Sequence, residues 1–169
     1  MDWILDPLVS VGPLRFGMSP DEVAKVIGPP QKSVRAEDEY RNDPDDLAAF
    51  AGWSWEHRLD TQKPFPELGY IENQLVEADF FPEHGRLLLD SVSLLDTKRK
   101  DVLLFLFSKG GDIYDSGGAI LFTSLGLALA PPRLARVEPA INVAAAGIAD
   151  SEIEEFGYKK VTSPEQLGL

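Results

Sequence analysis

The chain has 169 residues, no cysteine and a formal net charge of −12 at pH 7, from 28 acidic and 16 basic residues. Its length fits one domain and its hydrophobic content of 44% is enough for a core, which excludes global disorder. The composition also excludes disulfides, thiolate metal sites and cysteine nucleophiles, and the negative charge argues against nucleic acid and anionic membranes as partners.

The N-terminal residues 1–17 lack a basic region, and Asp2 and Asp6 interrupt their apolar residues, so we expect no signal peptide. No apolar run reaches the ~18 residues of a transmembrane helix. Together with the missing cysteines, these features predict a cytoplasmic protein.

The clearest element is a short helix over residues 19–27. Ser19 is suited to the N-cap, Pro20 to the first helical position, and Glu22 completes a capping box. We expect Gly28 and the prolines after it to end the helix. Its apolar stripe is formed by Val23, Val26 and Ile27.

Strands are expected to follow this helix. Residues 31–41 predict a polar edge strand, and residues 42–52 predict a loop with one helical turn. Residues 53–59 alternate, which places Trp53, Trp55 and His57 on one face of a strand.

A hairpin and a further strand complete the first half of the chain. The hairpin spans residues 70–81 and turns at Glu72–Asn73, and residues 85–95 form the next strand. The residues expected to point inward from the hairpin are Val76, Ala78 and Phe80.

The same order then begins again. A second helix over residues 96–112 is expected to be capped by Asp96 or Thr97 and ended by Gly110–Gly111. Short strands with glycine turns follow over 112–130, then a crossing segment over 131–139, a last strand over 140–147 and a charged tail that docks as a short helix. The helix residues expected to be buried are Val102, Leu103, Phe105 and Leu106.

This order predicts an α+β fold built from tandem helix-plus-antiparallel-sheet repeats, with the helices packed on one sheet face. We interpret residues 1–169 as one compact domain. The two repeats would span about 10–94 and 95–149, followed by a tail over 150–169.

The stretch GPLRFGMSPDEVAKVIGPP, residues 12–30, resembles the repeated unit of the β-lactamase-inhibitor-protein-like and BamE-like superfamily. The residues that carry the resemblance are Gly17, Met18, Ser19, Glu22, Val23, Gly28 and Pro30. The second half departs from this pattern, because Asp96–Thr97 lacks a preceding Gly-Met pair and residues 108–111 replace Gly-Pro-Pro.

The resemblance implies a protein-binding function, since members of the group look like secreted enzyme inhibitors, envelope assembly lipoproteins and, on related folds, immunity proteins. The lipoproteins carry a lipidated cysteine and the secreted inhibitors use disulfides, and this chain has neither. The immunity-protein-like form is the one that remains.

An acidic segment with nearby aromatic residues is the candidate binding surface. Clustered carboxylates accelerate encounter with a basic protein, and aromatic side chains supply anchors. The alternative interpretation is a solvated acidic loop without a partner. The candidate partner-binding residues are Glu37, Asp38, Glu39, Tyr40, Asp43, Asp45, Asp46, Trp53 and Trp55.

No motif in the sequence indicates a cofactor or a metal. The acidic first turn of the helix at Asp21 and Glu22 disfavours phosphate, and the acidic segment lacks the spacing of a calcium loop. His57 cannot pair with its neighbour Glu56 across a strand and is interpreted as a half-buried packing residue, whereas His84 is expected to face water.

Two function classes therefore remain open, besides a subunit that only completes an oligomer. The first is a non-enzymatic, cytoplasmic module that binds a basic protein, such as an immunity protein or inhibitor that occludes a toxin or enzyme. The second is a small-molecule-binding protein or hydrolase that uses a carboxylate pair, Asp112 and Asp115, in a pocket between sheet and helices. The oligomeric state is not predicted.

Overall fold

The structure is a computed structural model that describes residues 2–57, 65–129, 140–148, 153 and 157–169. These residues form an α+β fold, as predicted. The helices are α1 (Pro20–Ile27), α2 (Ala36–Glu39), α3 (Pro44–Ala49) and α4 (Arg99–Ser108). The strands are β1 (Asp2–Asp6), β2 (Ser10–Val11), β3 (Leu14–Arg15), β4 (Lys32–Arg35), β5 (Trp53–His57), β6 (Glu67–Ile71), β7 (Gln74–Phe80), β8 (Arg86–Leu89), β9 (Val92–Ser93), β10 (Ile113–Asp115), β11 (Ile120–Phe122), β12 (Leu127–Leu129), β13 (Ile141–Ala144) and β14 (Lys159–Val161).

Nine strands form one antiparallel sheet in the order β14-β10-β11-β12-β13-β7-β6-β5-β4. Helix α1 precedes the meander β4 to β7, and helix α4 precedes the meander β10 to β13. The two meanders join at their last strands, where Val143 pairs with Ala78. The tandem order of helix and antiparallel strands that the sequence predicts is therefore present within a single sheet.

A second sheet of five strands has the order β3-β2-β1-β8-β9. Its central pair, β1 and β8, is parallel, with Trp3 opposite Leu87, while the other pairs are antiparallel. The parallel pair joins the beginning of the chain to a strand more than eighty residues later. No local sequence pattern predicts a pairing of this kind, because its two strands share no turn.

One buried cluster unites the two sheets with α1 and α4. Trp3 is fully buried, and its ring lies edge-on to Phe80 with the centroids 5.4 Å apart. Phe107 of α4 lies edge-on to Phe122 of β11 at 5.8 Å. Both long helices thus contribute to the core that covers one face of the nine-stranded sheet.

Helix α1 begins as predicted. The Ser19 hydroxyl accepts a hydrogen bond from the Glu22 amide at 3.4 Å, and Glu22 Oε2 accepts one from the Ser19 amide at 2.9 Å. The apolar stripe is narrower than expected, because Val23 is buried and Ile27 is half-buried, whereas Val26 is 45% exposed. Because eight residues make only about two helical turns, few side chains of this helix point toward the core.

The hairpin turn at Glu72–Asn73 is also as predicted, and both residues have positive φ, 50° and 62°. The inward residues differ, because the register shifts between Gly69 and Tyr70. This β-bulge inserts Val76 as an extra residue on β7, and a bulge reverses which side chains face inward. The side chains buried on β7 are Leu75, Ala78 and Phe80.

Several expected boundaries are corrected by the structure. Residues 36–39 leave the edge strand and form α2. Helix α4 starts at Arg99, with Lys98 as its N-cap and no side-chain cap from Asp96 or Thr97. The Asp96 carboxylate instead accepts a hydrogen bond from the Ser93 hydroxyl at 2.7 Å. Of the predicted buried residues of α4, Phe105 is only half-buried.

The strand over residues 140–147 is not the last one. After it, Lys159–Val161 forms β14, which pairs with β10 at one edge of the large sheet, and a 3₁₀ turn over Pro164–Leu167 buries Leu167. The C-terminal segment therefore docks, but chiefly as a strand. The predicted crossing segment over 131–139 lies outside the described residues.

Candidate functional site

The two meanders differ in their first strand connection. Residues 116–119 join the paired positions Asp115 and Ile120 of β10 and β11 by a tight turn. The corresponding connection from Arg35 of β4 to Ser54 of β5 contains α2 and α3. We call residues 36–50 the acidic hairpin, and it is an addition that only the first meander carries.

Local side-chain contacts support the two short helices of the acidic hairpin, and α3 has a side-chain cap. Asp43 is the N-cap of α3 and accepts a hydrogen bond from the Asp46 amide at 3.3 Å, and Pro44 occupies the first helical position. Arg41 forms an ion pair with Asp38 at 2.9 Å. The hairpin's six carboxylates are all exposed and belong to Glu37, Asp38, Glu39, Asp43, Asp45 and Asp46.

Four aromatic residues join the acidic hairpin to the sheet, and we call them the aromatic cluster. Tyr40 and Phe50 stack with ring centroids 5.1 Å apart, and Trp53 and Trp55 stack at 5.9 Å. Trp55 stands edge-on to Phe50 at 5.8 Å and to Tyr40 at 6.1 Å. All four side chains are only half-buried, so this cluster combines ordered packing with solvent-accessible aromatic surface.

The strand β5 places its tryptophans on the face opposite the core. Glu56 pairs with Leu68 and shares the core-facing side of the sheet, where it is only 5% exposed. Its Oε2 accepts a hydrogen bond of 2.8 Å from the Tyr70 hydroxyl. A glutamate thus points inward while Trp53 and Trp55 point outward beneath the hairpin, which the alternation of the sequence does not reveal.

An open pocket of about 440 Å³ lies between the acidic hairpin and strands β4 to β6. Its aromatic lining consists of Tyr40, Phe50 and Trp55, beside Val34 of the edge strand. This volume lies within the range typical of pockets that bind small groups.

Charged and polar side chains of the described residues also line this pocket. Glu39 comes from the acidic hairpin, Lys32 from β4, His57 from β5 and Glu67 from β6. His57 Nδ1 lies 3.0 Å from Glu67 Oε2. Strand pairing explains this contact, because Leu68 lies opposite Glu56 and the flanking residues Glu67 and His57 are therefore cross-strand neighbours.

A row of polar side chains continues from the pocket across the same sheet face. Asp79 lies opposite Glu67, and the Asn142 amide donates to Asp79 Oδ1 at 3.0 Å and to Glu77 Oε2 at 3.1 Å. Burial raises the pKa of Asp79; the Asn142 hydrogen bond lowers it, and the nearby Glu67 charge raises it further. Gly69 makes room for this arrangement, because a Cβ there would collide with the Glu77 side chain.

The predicted site residues divide into two groups. Glu39, Tyr40 and Trp55 line the pocket, and Trp53 belongs to the aromatic cluster beside it. The other predicted residues stand on the exposed surface of the hairpin outside the pocket, where Asp43 caps α3 and Asp38 pairs with Arg41. These are Glu37, Asp38, Asp43, Asp45 and Asp46.

Sequence reasoning missed Phe50, Glu67 and Lys32. The local signal that could have pointed to Phe50 is its own aromatic side chain, three residues before Trp53 in the sequence. Glu67 comes from another strand, and only the register of β5 against β6 brings it to His57. His57 is half-buried as predicted, but its partner is Glu67, not a sequence neighbour.

The alternative acid–base residues are engaged elsewhere. Asp112 forms an ion pair with Lys160 at 2.6 Å and lines a second cavity, of about 460 Å³, whose lining does not include Asp115. Asp115 accepts a hydrogen bond from the Gly117 amide at 2.7 Å.

The second histidine does not face water as expected. His84 is half-buried against Phe81, and its Nδ1 accepts a hydrogen bond from the Phe81 amide at 3.0 Å. Burial lowers the pKa of His84, while the charge of Glu83 and a backbone hydrogen bond raise it.

Two further observations bear on the chemistry. Across the described ranges, no three His, Asp or Glu side chains are grouped so that they would hold a metal ion. The helices found in those same ranges are too short or too polar to cross a membrane.

Comparison of the chain with protein-family models, with curated proteins and with solved structures finds no match in any of the three. The resemblance of residues 12–30 to the β-lactamase-inhibitor-protein-like and BamE-like unit therefore stays a prediction. The structural features on which a function can be proposed are the α+β fold and the pocket under the acidic hairpin.

Proposed function

We propose that this chain is a non-enzymatic module that binds a basic protein through the acidic hairpin and the aromatic cluster. The observation that carries the proposal is the position of the hairpin. It occupies a strand connection that the second meander completes with the four residues 116–119. Added segments on a rigid scaffold commonly carry binding residues.

Charge supports a cationic partner. The hairpin presents six carboxylates and a single arginine, which is already paired with Asp38, and the whole chain carries a net charge of −12. A surface of this kind accelerates encounter with a basic protein and disfavours acidic competitors.

The half-buried rings beneath the hairpin support a stable complex. Interfaces are held largely by a few aromatic and arginine side chains that become fully desolvated on binding. Tyr40, Phe50, Trp53 and Trp55 supply four such rings beside the carboxylates. The carboxylates would govern the rate of encounter, while these rings would govern the lifetime of the complex.

The resemblance favours one form of this function, an inhibitor or immunity protein that covers the active site of a toxin or enzyme. We place this activity in the cytoplasm. A hydrolase receives no comparable support, because Asp115 is not among the described residues that line the cavity beside Asp112, and the described residues that line the pocket of His57 include no serine or threonine for it to activate.

The experiment is capture of the partner from native lysate of the source cells, followed by affinity measurement on the purified complex. A double variant, Glu37→Gln with Asp45→Asn, removes two exposed charges of the hairpin. We expect its affinity to fall about tenfold, as loss of two favourable interface charges implies. The effect should shrink between about 50 and 300 mM salt, because salt screens exposed charges.

A matched control removes the same charge far from the hairpin. Asp6→Asn with Glu83→Gln changes two exposed carboxylates elsewhere and should alter affinity less than about twofold. The proposal is wrong if no basic protein is captured at low salt, or if the control weakens binding as much as the hairpin variant.

A further inference from the structure

The pocket beneath the acidic hairpin presents aromatic surface in two orientations. Tyr40 and Phe50 lie nearly parallel, with 16° between their ring planes. Trp55 is turned by 79° from Tyr40 and by 66° from Phe50. A group entering the pocket would therefore meet aromatic rings from two directions. The faces of such rings carry negative electrostatic potential and attract cations.

Carboxylates from two elements reach the same pocket. Glu39 comes from α2 and Glu67 from β6, and the lysine among the described lining residues is Lys32. The His57 contact involves Glu67 Oε2, and a carboxylate has about four acceptor positions, so Glu67 retains capacity to accept another hydrogen bond. The remaining carboxylates of the acidic hairpin add to the negative potential around the entrance.

These features select among ligand classes. An anion would meet the carboxylates of Glu39 and Glu67 in the pocket, and a neutral apolar group would displace water from them without replacing its hydrogen bonds. An arginine side chain matches both parts of the lining, because its planar guanidinium stacks on aromatic rings while its N–H groups donate to carboxylates. A lysine ammonium satisfies the same charges with less planar contact.

We infer that this pocket binds one cationic side chain of the partner, an arginine in preference to a lysine. This inference rests on the proposed function, since it names the group of the basic partner that the site recognises. The pocket would hold that side chain as the central anchor of the interface. The exposed carboxylates Glu37, Asp38, Asp45 and Asp46 would contact the surrounding basic surface.

The test is a titration of the full-length protein with capped tripeptides that contain arginine, lysine or citrulline between glycines. Citrulline keeps the shape of arginine but carries no charge. The indole N–H signals of Trp53 and Trp55 in a two-dimensional NMR spectrum report on the pocket, and fully buried Trp3 serves as the internal reference. We expect saturable shifts with the arginine peptide and affinity at least about fivefold weaker with citrulline, in keeping with loss of a cation–π contact.

Three single variants connect this binding to the pocket. Glu39→Gln, at an exposed position that tolerates substitution, should weaken the arginine peptide about threefold or more. Phe50→Leu removes an aromatic ring and should weaken it similarly. Glu83→Gln is the control, because Glu83 is also exposed but lies outside the acidic hairpin and does not line the pocket.

The inference is overturned if citrulline binds as well as arginine, or if the indole signals do not move at about 20 mM peptide, well above millimolar affinity. It is also overturned if Glu83→Gln weakens binding as much as Glu39→Gln. If the arginine peptide does not bind but a basic protein is captured in a salt-sensitive way, the inference about the pocket is wrong and the proposed function remains supported. If the arginine peptide binds but no basic protein is captured, the pocket binds arginine and the proposed function is wrong.

Discussion

Two single residues show how hydrogen bonds stabilise buried carboxyl groups in the nine-stranded sheet. Glu56 is almost fully buried on the core side, with the Tyr70 hydroxyl bonded to it. Asp79 lies on the opposite side, where it accepts from Asn142. A buried carboxylate is costly unless hydrogen bonds replace its lost water. Both residues therefore depend on partners from neighbouring strands.

Removal of the Tyr70 hydroxyl should destabilise the protein. In Tyr70→Phe the buried Glu56 carboxylate loses a charge-assisted hydrogen bond, which costs about 1–3 kcal/mol. Chemical denaturation in urea measures this difference. The matched control Tyr114→Phe, on the opposite face of the sheet, should change stability by less than about 0.5 kcal/mol, and equal effects of the two variants would contradict the explanation.

The pH dependence of stability should report on Asp79. Its pKa is raised in the folded protein, mainly by burial, so the unfolded chain ionises first as the pH rises. The contribution of Asp79 is therefore largest below its unfolded pKa of about 4 and is lost as the pH rises through the higher folded value.

Asp79→Asn should remove this dependence. Between about pH 4 and 7, the variant should gain stability relative to the parent protein, because Asn142 still finds an acceptor while no charge is buried. Thermal unfolding across that range measures it, with exposed Asp6→Asn as the control. A constant difference between Asp79→Asn and the parent across the range would show that the charge of Asp79 is not responsible.

At the scale of elements, the acidic hairpin and the tight turn over residues 116–119 occupy equivalent positions in the two meanders. The strands around the tight turn pair fully without any inserted helix. By analogy, the strand pairing of the first meander does not require α2 and α3. Tyr40 and Phe50, which directly follow these helices, contact Trp55 on the face away from the shared core.

Replacement of residues 36–53 by Ser-Gly-Gly-Ala, the sequence of the tight turn, removes the acidic hairpin together with Trp53 at the start of β5. It should leave a folded sheet that no longer binds the partner. Short turns close hairpins with little entropic cost. The NMR signal of buried Trp3 reports folding, and partner capture reports function. As a control, insertion of Gly-Ser between Gly117 and Gly118 should preserve both, and loss of the Trp3 signal in the replacement alone would show that the hairpin is needed for folding.

At the scale of the whole molecule, the two meanders share one sheet and one core. Strands β7 and β13 pair along Glu77–Phe80 and Ile141–Ala144, and the buried cluster includes residues of both meanders and of the five-stranded sheet. A core that is continuous across two units couples their unfolding, because neither unit can separate without exposing apolar surface of the other.

We therefore expect one cooperative unfolding transition. Tryptophan fluorescence reports on Trp3, Trp53 and Trp55, all in the first half of the chain, whereas far-ultraviolet circular dichroism reports on both halves. The two urea curves should coincide, as they do for a two-state domain. Two separate transitions would instead mean that residues 10–94 and 95–149 unfold as independent domains.

The sequence determined much of the local architecture. The capped start of α1, the turn at Glu72–Asn73 and the glycine turns of β10 to β12 were predictable, because each depends on residues close together in the chain. The same local patterns indicated the acidic residues, Tyr40 and the two tryptophans. Of the residues that line the pocket, they pointed to Glu39, Tyr40 and Trp55.

Only the tertiary structure decided which side chains meet. A single bulge places Leu75 in the core instead of Val76, and strand register brings Glu67 next to His57. Strand β1, which contains Trp3, pairs with β8 more than eighty residues later. The tertiary structure also turned Trp55 outward into a pocket while Glu56 went inward. The physical reason is that register and strand order are set by packing of the whole core, and a shift of one residue moves every side chain of a strand to the other face.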